Sequence, residues 1–237
     1  MMAPDFQRAR SAQAKQQRET AILDAAGRLG AERGIRDITL TDIAAAVGMH
    51  KSALLRYFET REQIFLRLTA TAWQEWSATV LSRLADLDAT SPAGDIAAAL
   101  AETLCARTFF CDLLAQAPLN LERNVSVEQV RAFKLVTHDV VDKIVAELRR
   151  IRTAMSDEQA VDVIATATSM AGAMWQMATP AAEIMELYRS DPAMGLAVFD
   201  VTARLQRILT ALIDGYTATL KRPTSAPRDR ANAVTRR

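Results

Sequence analysis

Glycine and proline are scarce, with 8 and 7 in 237 residues, and aromatics make up only 5%. With Ala, Leu, Arg and Glu abundant, this scarcity disfavours loop-rich and sheet architectures and favours helix nearly throughout. No glycine-bounded alternating strands appear. Cysteine is limited to Cys105 and Cys111. A spacing of six on a helix points them to different faces, which excludes a disulfide framework or cysteine metal cluster and leaves inert buried thiols. Only two histidines occur, without metal-ligand spacing. There is no Glu-x-x-His pair, no Gly-x-Ser-x-Gly, no phosphate-cradling Walker loop and no Gly-rich dinucleotide turn. No catalytic residue, metal or cofactor is therefore assigned, and an enzyme is not expected. Apolar runs such as Ile96 to Ala101 fall far short of the roughly 18 to 20 residues that span a bilayer. Met1 to Gln17 carries Arg8, Arg10 and Lys15 without an apolar core, unlike a secretory signal. A cytoplasmic protein with no membrane partner is the expectation.

What is present is a large apolar complement and an uneven charge. Hydrophobic residues make up 50%, enough for a sizeable core. The net charge of +1 conceals polarity: residues 1–67 hold 11 Lys and Arg against 8 Asp and Glu, residues 68–220 hold 12 against 19, and residues 221–237 hold 6 against 1. A mildly basic head and a basic tail on an acidic body suit phosphate binding by the head. Solvated basic ends unrelated to any partner are the alternative.

The segment Thr39 to Phe58, TLTDIAAAVGMHKSALLRYF, carries the sharpest signal. Thr39 with Asp42 three residues on is a relative of the capping box and starts a helix at about Leu40. Ile43, Ala44 and Val47 share one face at helical spacing. Gly48 can then take positive φ and reverse the chain in about three residues. Met49 and Leu54 would fill the angle between two helices, leaving His50, Lys51, Ser52 and Leu55 to Tyr57 near the surface. This is a helix-turn-helix, whose second helix enters a DNA major groove. An ordinary helical hairpin in an all-α protein is the competing reading.

The flanks favour the first reading. Ile22, Leu23, Ala25, Ala26, Leu29, Gly34, Thr39, Ile43, Ala44, Gly48, Leu54, Phe58, Glu62 and Ile64 fall in register with the head of the TetR/AcrR family of bacterial transcriptional regulators. From Thr20 to Phe65 the chain resembles that family, about a fifth of its length. The resemblance implies an all-α fold of nine or ten helices, a three-helix DNA-binding domain and a helical ligand-binding and dimerisation domain. It also implies DNA contact through Thr39, Thr41, His50, Lys51, Ser52, Leu55, Tyr57 and Arg61, with Arg61 aimed at phosphate. His50, Ser52 and Leu55 depart from the family pattern: Leu55 replaces a tyrosine that contacts the DNA backbone, so the operator is not transferable from relatives.

Helix starts beyond the head follow from caps. Thr60 with Gln63 opens a helix to about Ala85. Ser91-Pro92 opens another with proline at its first position, Ser126 with Gln129 and Ser156 with Gln159 form capping boxes, and Asp191-Pro192 marks the last start. About nine helices result. The expected division is a disordered basic arm over 1–17, the helix-turn-helix domain over 18–59, an effector-binding and dimerisation domain over 60–221, and a disordered basic tail over 222–237. In the two long C-terminal helices, Val163, Ala167, Met170, Phe199, Leu205, Leu209, Leu212 and Tyr216 form broad apolar faces suited to a twofold interface. Burial within the chain alone is the alternative. Trp73, Trp76, Phe109, Phe110, Phe133, Met174 and Trp175 lie on helices that surround an effector cavity in TetR-like proteins, although plain core packing is the favoured reading of each taken singly.

The resulting expectation is a homodimeric repressor that binds a palindromic double-stranded DNA operator and is released by a small apolar or amphipathic effector. An all-α protein-binding adaptor and a cryptic helical enzyme are the alternatives.

Overall fold

Strong helix formers fill the intervals between the few glycines and prolines, and the computed structural model, which describes residues 4–219, is 83% helical with no strand among them. Nine of its helices have seven or more residues. The basic tail over 222–237 lies outside the described residues.

The head comprises α1 (Pro4–Arg33), a 3-10 turn (Ile35–Asp37), α2 (Leu40–Ala46) and α3 (Lys51–Leu54). α1 begins at Pro4, within the stretch expected as a basic arm. Proline at the first position and a run of Gln, Ala, Arg and Lys leave nothing to stop the helix. Thr39 and Asp42 form the reciprocal capping box of α2. Gly48 takes φ 66° in the turn, a conformation that a β-carbon disfavours. Ile22, Ala26, Ile35, Ile38, Ile43, Ala44, Leu54 and Phe58 bury the apolar faces of the head against one another.

The body begins with α4 (Arg61–Ala85), capped by the Thr60 hydroxyl, which accepts from the Gln63 amide. α5 (Ala93–Cys105) follows, with Pro92 just outside the helix as its N-cap instead of at the first helical position. α6 (Thr108–Gln116) runs into a π turn (Ala117–Leu121) at Pro118 and a 3-10 turn (Glu122–Asn124). α7 (Val127–Ile151) starts after Ser126, whose side chain makes no cap bond, so this capping box does not form. That of Ser156 and Gln159 does form, at α8 (Asp157–Ala178).

The C-terminal region departs further from expectation. A helix not signalled by caps, α9 (Ala182–Ser190), is followed by a 3-10 turn (Pro192–Ala197) that Asp191 caps. The last helix, α10 (Val201–Thr219), starts instead beside Asp200, whose carboxylate accepts from the Ala203 amide at 2.9 Å. Leu196 and Phe199 thus precede it. α10 packs on α5 and α8, α7 packs on α4, and α6 packs on α8. The α6–α8 approach requires Gly172, because a β-carbon there would sit 2.8 Å from the Ala115 backbone nitrogen. No described helix is long and apolar enough to cross a membrane.

Candidate nucleic-acid interface and ligand cavity

The Gly48 turn sets α3 at an angle to α2 and buries Leu54 completely between them, with Met49 partly buried beside it. Because Leu54 points inward, its neighbours point out. His50, Lys51, Ser52 and Arg56 are exposed, and Leu55 is 44% exposed. His50 is the N-cap of α3 but makes no side-chain cap bond, so its imidazole is not committed to the fold. Among the described residues, Lys51 and Arg56 have no ion-pair partner. Three basic side chains thus stand free on one short surface, with Thr41 exposed nearby and Tyr57 half-buried at its edge. Arg56 was missing from the sequence-derived contact set. The signal was its place one residue beyond Leu55, on the outward arc.

Two expected phosphate contacts are committed elsewhere. Arg61 donates from Nε to the Ile38 carbonyl and from Nη2 to the Ile35 carbonyl, and its Nη1 meets Glu62 at 2.7 Å. Its guanidinium also lies over the Phe65 ring at 5.0 Å. Arg61 therefore ties the start of α4 to the turn that enters the helix-turn-helix, and its charge faces inward. Thr39 directs its hydroxyl proton at the Asp42 carboxylate while accepting from the Asp42 amide. The Thr39 hydroxyl and the Thr39 backbone amide, which donates to the same carboxylate at 2.8 Å, hold the Asp42 carboxyl below its ordinary value, and Thr39 serves as a cap.

The aromatic residues of the body divide into three groups. Trp73 and Phe133 line a cavity of about 300 Å³ between α4, α6, α7 and α8. Trp76 and Phe110 instead form the core behind it: Trp73 meets Trp76 at 5.5 Å and Phe110 at 5.7 Å between ring centroids, both edge-on. Trp76 is fully buried and donates from Nε1 to the Thr103 hydroxyl at 2.9 Å, and Met174 is 4% exposed in the same core. Phe109 and Trp175 line a separate, more polar cleft where the head meets the body. The sequence reading missed Lys134, Thr137, His138 and Val141 on α7, and Ile164, Thr168 and Ser169 on α8, all of which face the cavity. Their i, i+3 and i+4 spacing was the available signal, masked because polar residues on an apolar arc read as noise.

Asp112 lies at the seam between body and head. It is 8% exposed, accepts from the Ile35 amide at 2.9 Å and from the Gln176 side chain at 2.7 Å, and so joins α6 to the head and to the end of α8. Leu114 and Ala117, just beyond it, line the cavity.

The expected dimer face also needs correction. Val163, Ala167, Leu205 and Leu209 are fully buried within the chain, because α8 and α10 turn these residues toward α5 and α6. Met170, Phe199, Leu212 and Tyr216 are only half-buried, and Ala173, Met177 and Ala211 are exposed. The Tyr216 hydroxyl donates to Asp162 at 2.8 Å across α10 and α8, which raises the tyrosine's pKa. Burial raises the thiol of half-buried Cys105 and pushes that of buried Cys111 up to about 12, consistent with inert packing.

Residues 22–68 match the family described as "Bacterial regulatory proteins, tetR family", and residues 70–219 match "Tetracyclin repressor-like, C-terminal domain". Among solved structures, the chain is similar to a transcriptional regulator of the TetR/AcrR family from Thermobifida fusca YX-ER1 (19% identity, TM-score 0.51), over 84% of this chain and 98% of that one. It is also similar to the multidrug binding protein EbrR complexed with imidazole (18%, TM-score 0.54), over 90% and 98%. The fatty acid degradation regulator FadR from Bacillus halodurans is similar at 14% identity and TM-score 0.53, over 83% and 95%. At these identities the likeness concerns the fold. No curated relative matches the sequence.

Proposed function

Because this chain belongs to the TetR family of bacterial transcriptional regulators, we propose that it acts as a homodimeric repressor whose paired heads bind a palindromic operator and whose body releases DNA on binding a small molecule. It is a DNA-binding regulator and not an enzyme. The observation that carries the reading is the exposed, uncommitted set His50, Lys51, Ser52, Leu55 and Arg56 around α3. Lys51 and His50 offer donors to base edges, Leu55 offers an apolar contact to a thymine methyl, and Arg56, Thr41 and Tyr57 reach the backbone. One helix of four residues reads few bases, so a second copy one helical turn away supplies the missing specificity.

The effector role of the cavity is supported by its mostly apolar wall with a few convergent polar groups. EbrR, complexed with imidazole, shows a relative of this fold holding a small molecule. Two routes connect the cavity to the head. α4 carries Trp73 at the cavity and Arg61 at the head, and α6 carries Leu114 at the cavity and Asp112 at the head. A ligand that favours a different α4 or α6 position shifts the population away from the head spacing that DNA needs.

The test is selection of bound sequences from a random DNA pool, repeated across salt concentrations. Enrichment of an inverted repeat with steep salt dependence is expected. Failure to enrich any sequence overturns the reading.

A further inference from the structure

Charge, hydrogen-bond polarity and size at the cavity wall together restrict what it can hold. Lys134 Nζ lies 2.9 Å from one Glu122 oxygen and 2.8 Å from the other. The Glu122 side chain is the more buried partner, 18% exposed against 45% for Lys134. An anionic ligand would have to take Lys134 and leave that carboxylate unpaired, and a cationic one would have to displace the same ammonium. The first outcome leaves an uncompensated carboxylate that is only 18% exposed, and the second exchanges one ion pair for another with no net gain, the 45% exposed ammonium returning to solvent.

The hydroxyls are also committed in one direction. Thr168 donates to the Ile164 carbonyl at 2.9 Å and Thr137 to the Lys134 carbonyl at 3.1 Å. A hydroxyl has one proton, so each threonine presents only lone pairs to the cavity. Glu122 adds further acceptor capacity, so the buried end of the polar wall asks its occupant for a donor, while Lys134, His138 and Ser169 place donors at its more exposed positions. Size and shape complete the restriction. The volume is about 300 Å³, and Trp73 and Phe133 are its aromatic walls. An apolar cavity of about 150 Å³ accepts one benzene ring, so this one suits about twelve to fifteen heavy atoms.

We propose that the cavity selects an uncharged, hydroxylated aromatic molecule whose hydroxyl donates to Thr168, Thr137 or Glu122; the proposal rests on the effector reading of that cavity. The full chain, titrated with 4-phenylphenol, its methyl ether 4-methoxybiphenyl and biphenyl-4-carboxylate, tests it through tryptophan fluorescence and operator release. The phenol should bind and release DNA, and the ether and carboxylate should bind at least about tenfold more weakly, the loss of one hydrogen bond or the breaking of one ion pair. Thr168→Val should weaken the phenol about tenfold and leave the ether unchanged. Thr137→Val gives the same reading if Thr168→Val does not fold. Equal or tighter binding of the ether or the carboxylate, or binding of none of the three, overturns the proposal. Val161→Trp, at a half-open cavity wall residue, should abolish phenol binding. If the phenol still binds that variant, the ligand sits elsewhere and the effector reading of the cavity itself fails; if Val161→Trp blocks a preferred carboxylate, the cavity stands and the proposed ligand class falls.

Discussion

Arg56 and Arg61 stand five residues apart and serve opposite ends of the same problem. Arg56 is exposed with its charge uncompensated, whereas Arg61 is held by the Ile35 and Ile38 carbonyls, Glu62 and the Phe65 ring. Arg56→Ala should weaken binding to all DNA sequences alike and lower the salt slope by about 1. Arg61→Ala should leave that slope unchanged and destabilise the head by about 1–3 kcal/mol, read as a lower melting temperature, because two carbonyls lose their donor. Lys51→Ala should cost about 1–3 kcal/mol on the selected operator with relaxed preference at one position, and equal affinity across all sequences would remove Lys51 from base recognition. Asp42 gives a pH-dependent counterpart. Its carboxyl is held below 3.8 in the fold, so the cap of α2 contributes fully above that value and loses its contribution as the pH falls through the depressed one. Thr39→Val should lessen this acid sensitivity, leaving the part due to the residue 39 amide and Arg33, visible in the helical signal.

Between elements, Gly172 and Asp112 fix distances that individual helices leave free. Gly172 lets α8 touch the backbone of α6 at Ala115. Gly172→Ala gains about 1 kcal/mol of helix propensity but forces the two backbones apart. Overpacking of this kind costs about 1–3 kcal/mol, so a net loss of stability is expected in denaturant titrations. Asp112 acts along the same helix. Asp112→Ala would leave the Ile35 amide without its acceptor, at a cost of about 1–3 kcal/mol. It should also separate two readouts: the ligand would still bind in the body while its effect on DNA affinity shrinks. Retention of full coupling in Asp112→Ala would show that α4 alone transmits the change. These two residues illustrate what sequence could not show. A glycine inside a helical pattern signals a close approach without naming the neighbour, and a lone aspartate before an apolar run looks like any solvated charge.

For the whole molecule, assembly is the open quantity that matters most to function. The chain's outer α8 and α10 surface presents Met170, Ala173, Met177, Ala211 and Leu212 at intermediate or full exposure, while deeper residues such as Val163 and Leu209 are spent on the chain's own core. Sedimentation at micromolar concentration should give twice the chain mass. Met177→Glu combined with Ala211→Glu should yield monomers of unchanged helicity that no longer prefer an inverted repeat, since a single α3 reads too few bases. A wild-type monomer would count against the paired-head reading. The basic head and acidic body also suit this arrangement, with DNA approached by the end that carries the uncommitted cations.

The helix content, the capping of α2, α4 and α8, the Gly48 turn and the outward set from His50 to Leu55 were legible in the sequence, because each depends on neighbours within one or two turns of the chain. The cap at Ser126 and the start of the last helix were misread for the same local reason: Asp191-Pro192 is a valid start signal that a 3-10 turn uses, and Asp200 then supplies the true one. Only tertiary packing decided that Arg61 faces inward, that Trp76 and Met174 are core while Trp73 and Phe133 are cavity wall, and that Lys134 is neutralised by Glu122. Helical periodicity specifies which residues share a face. It does not specify which of several apolar faces meets another helix, which meets a void and which meets solvent, and those contacts, made across long sequence separations, determine where charge is free to act.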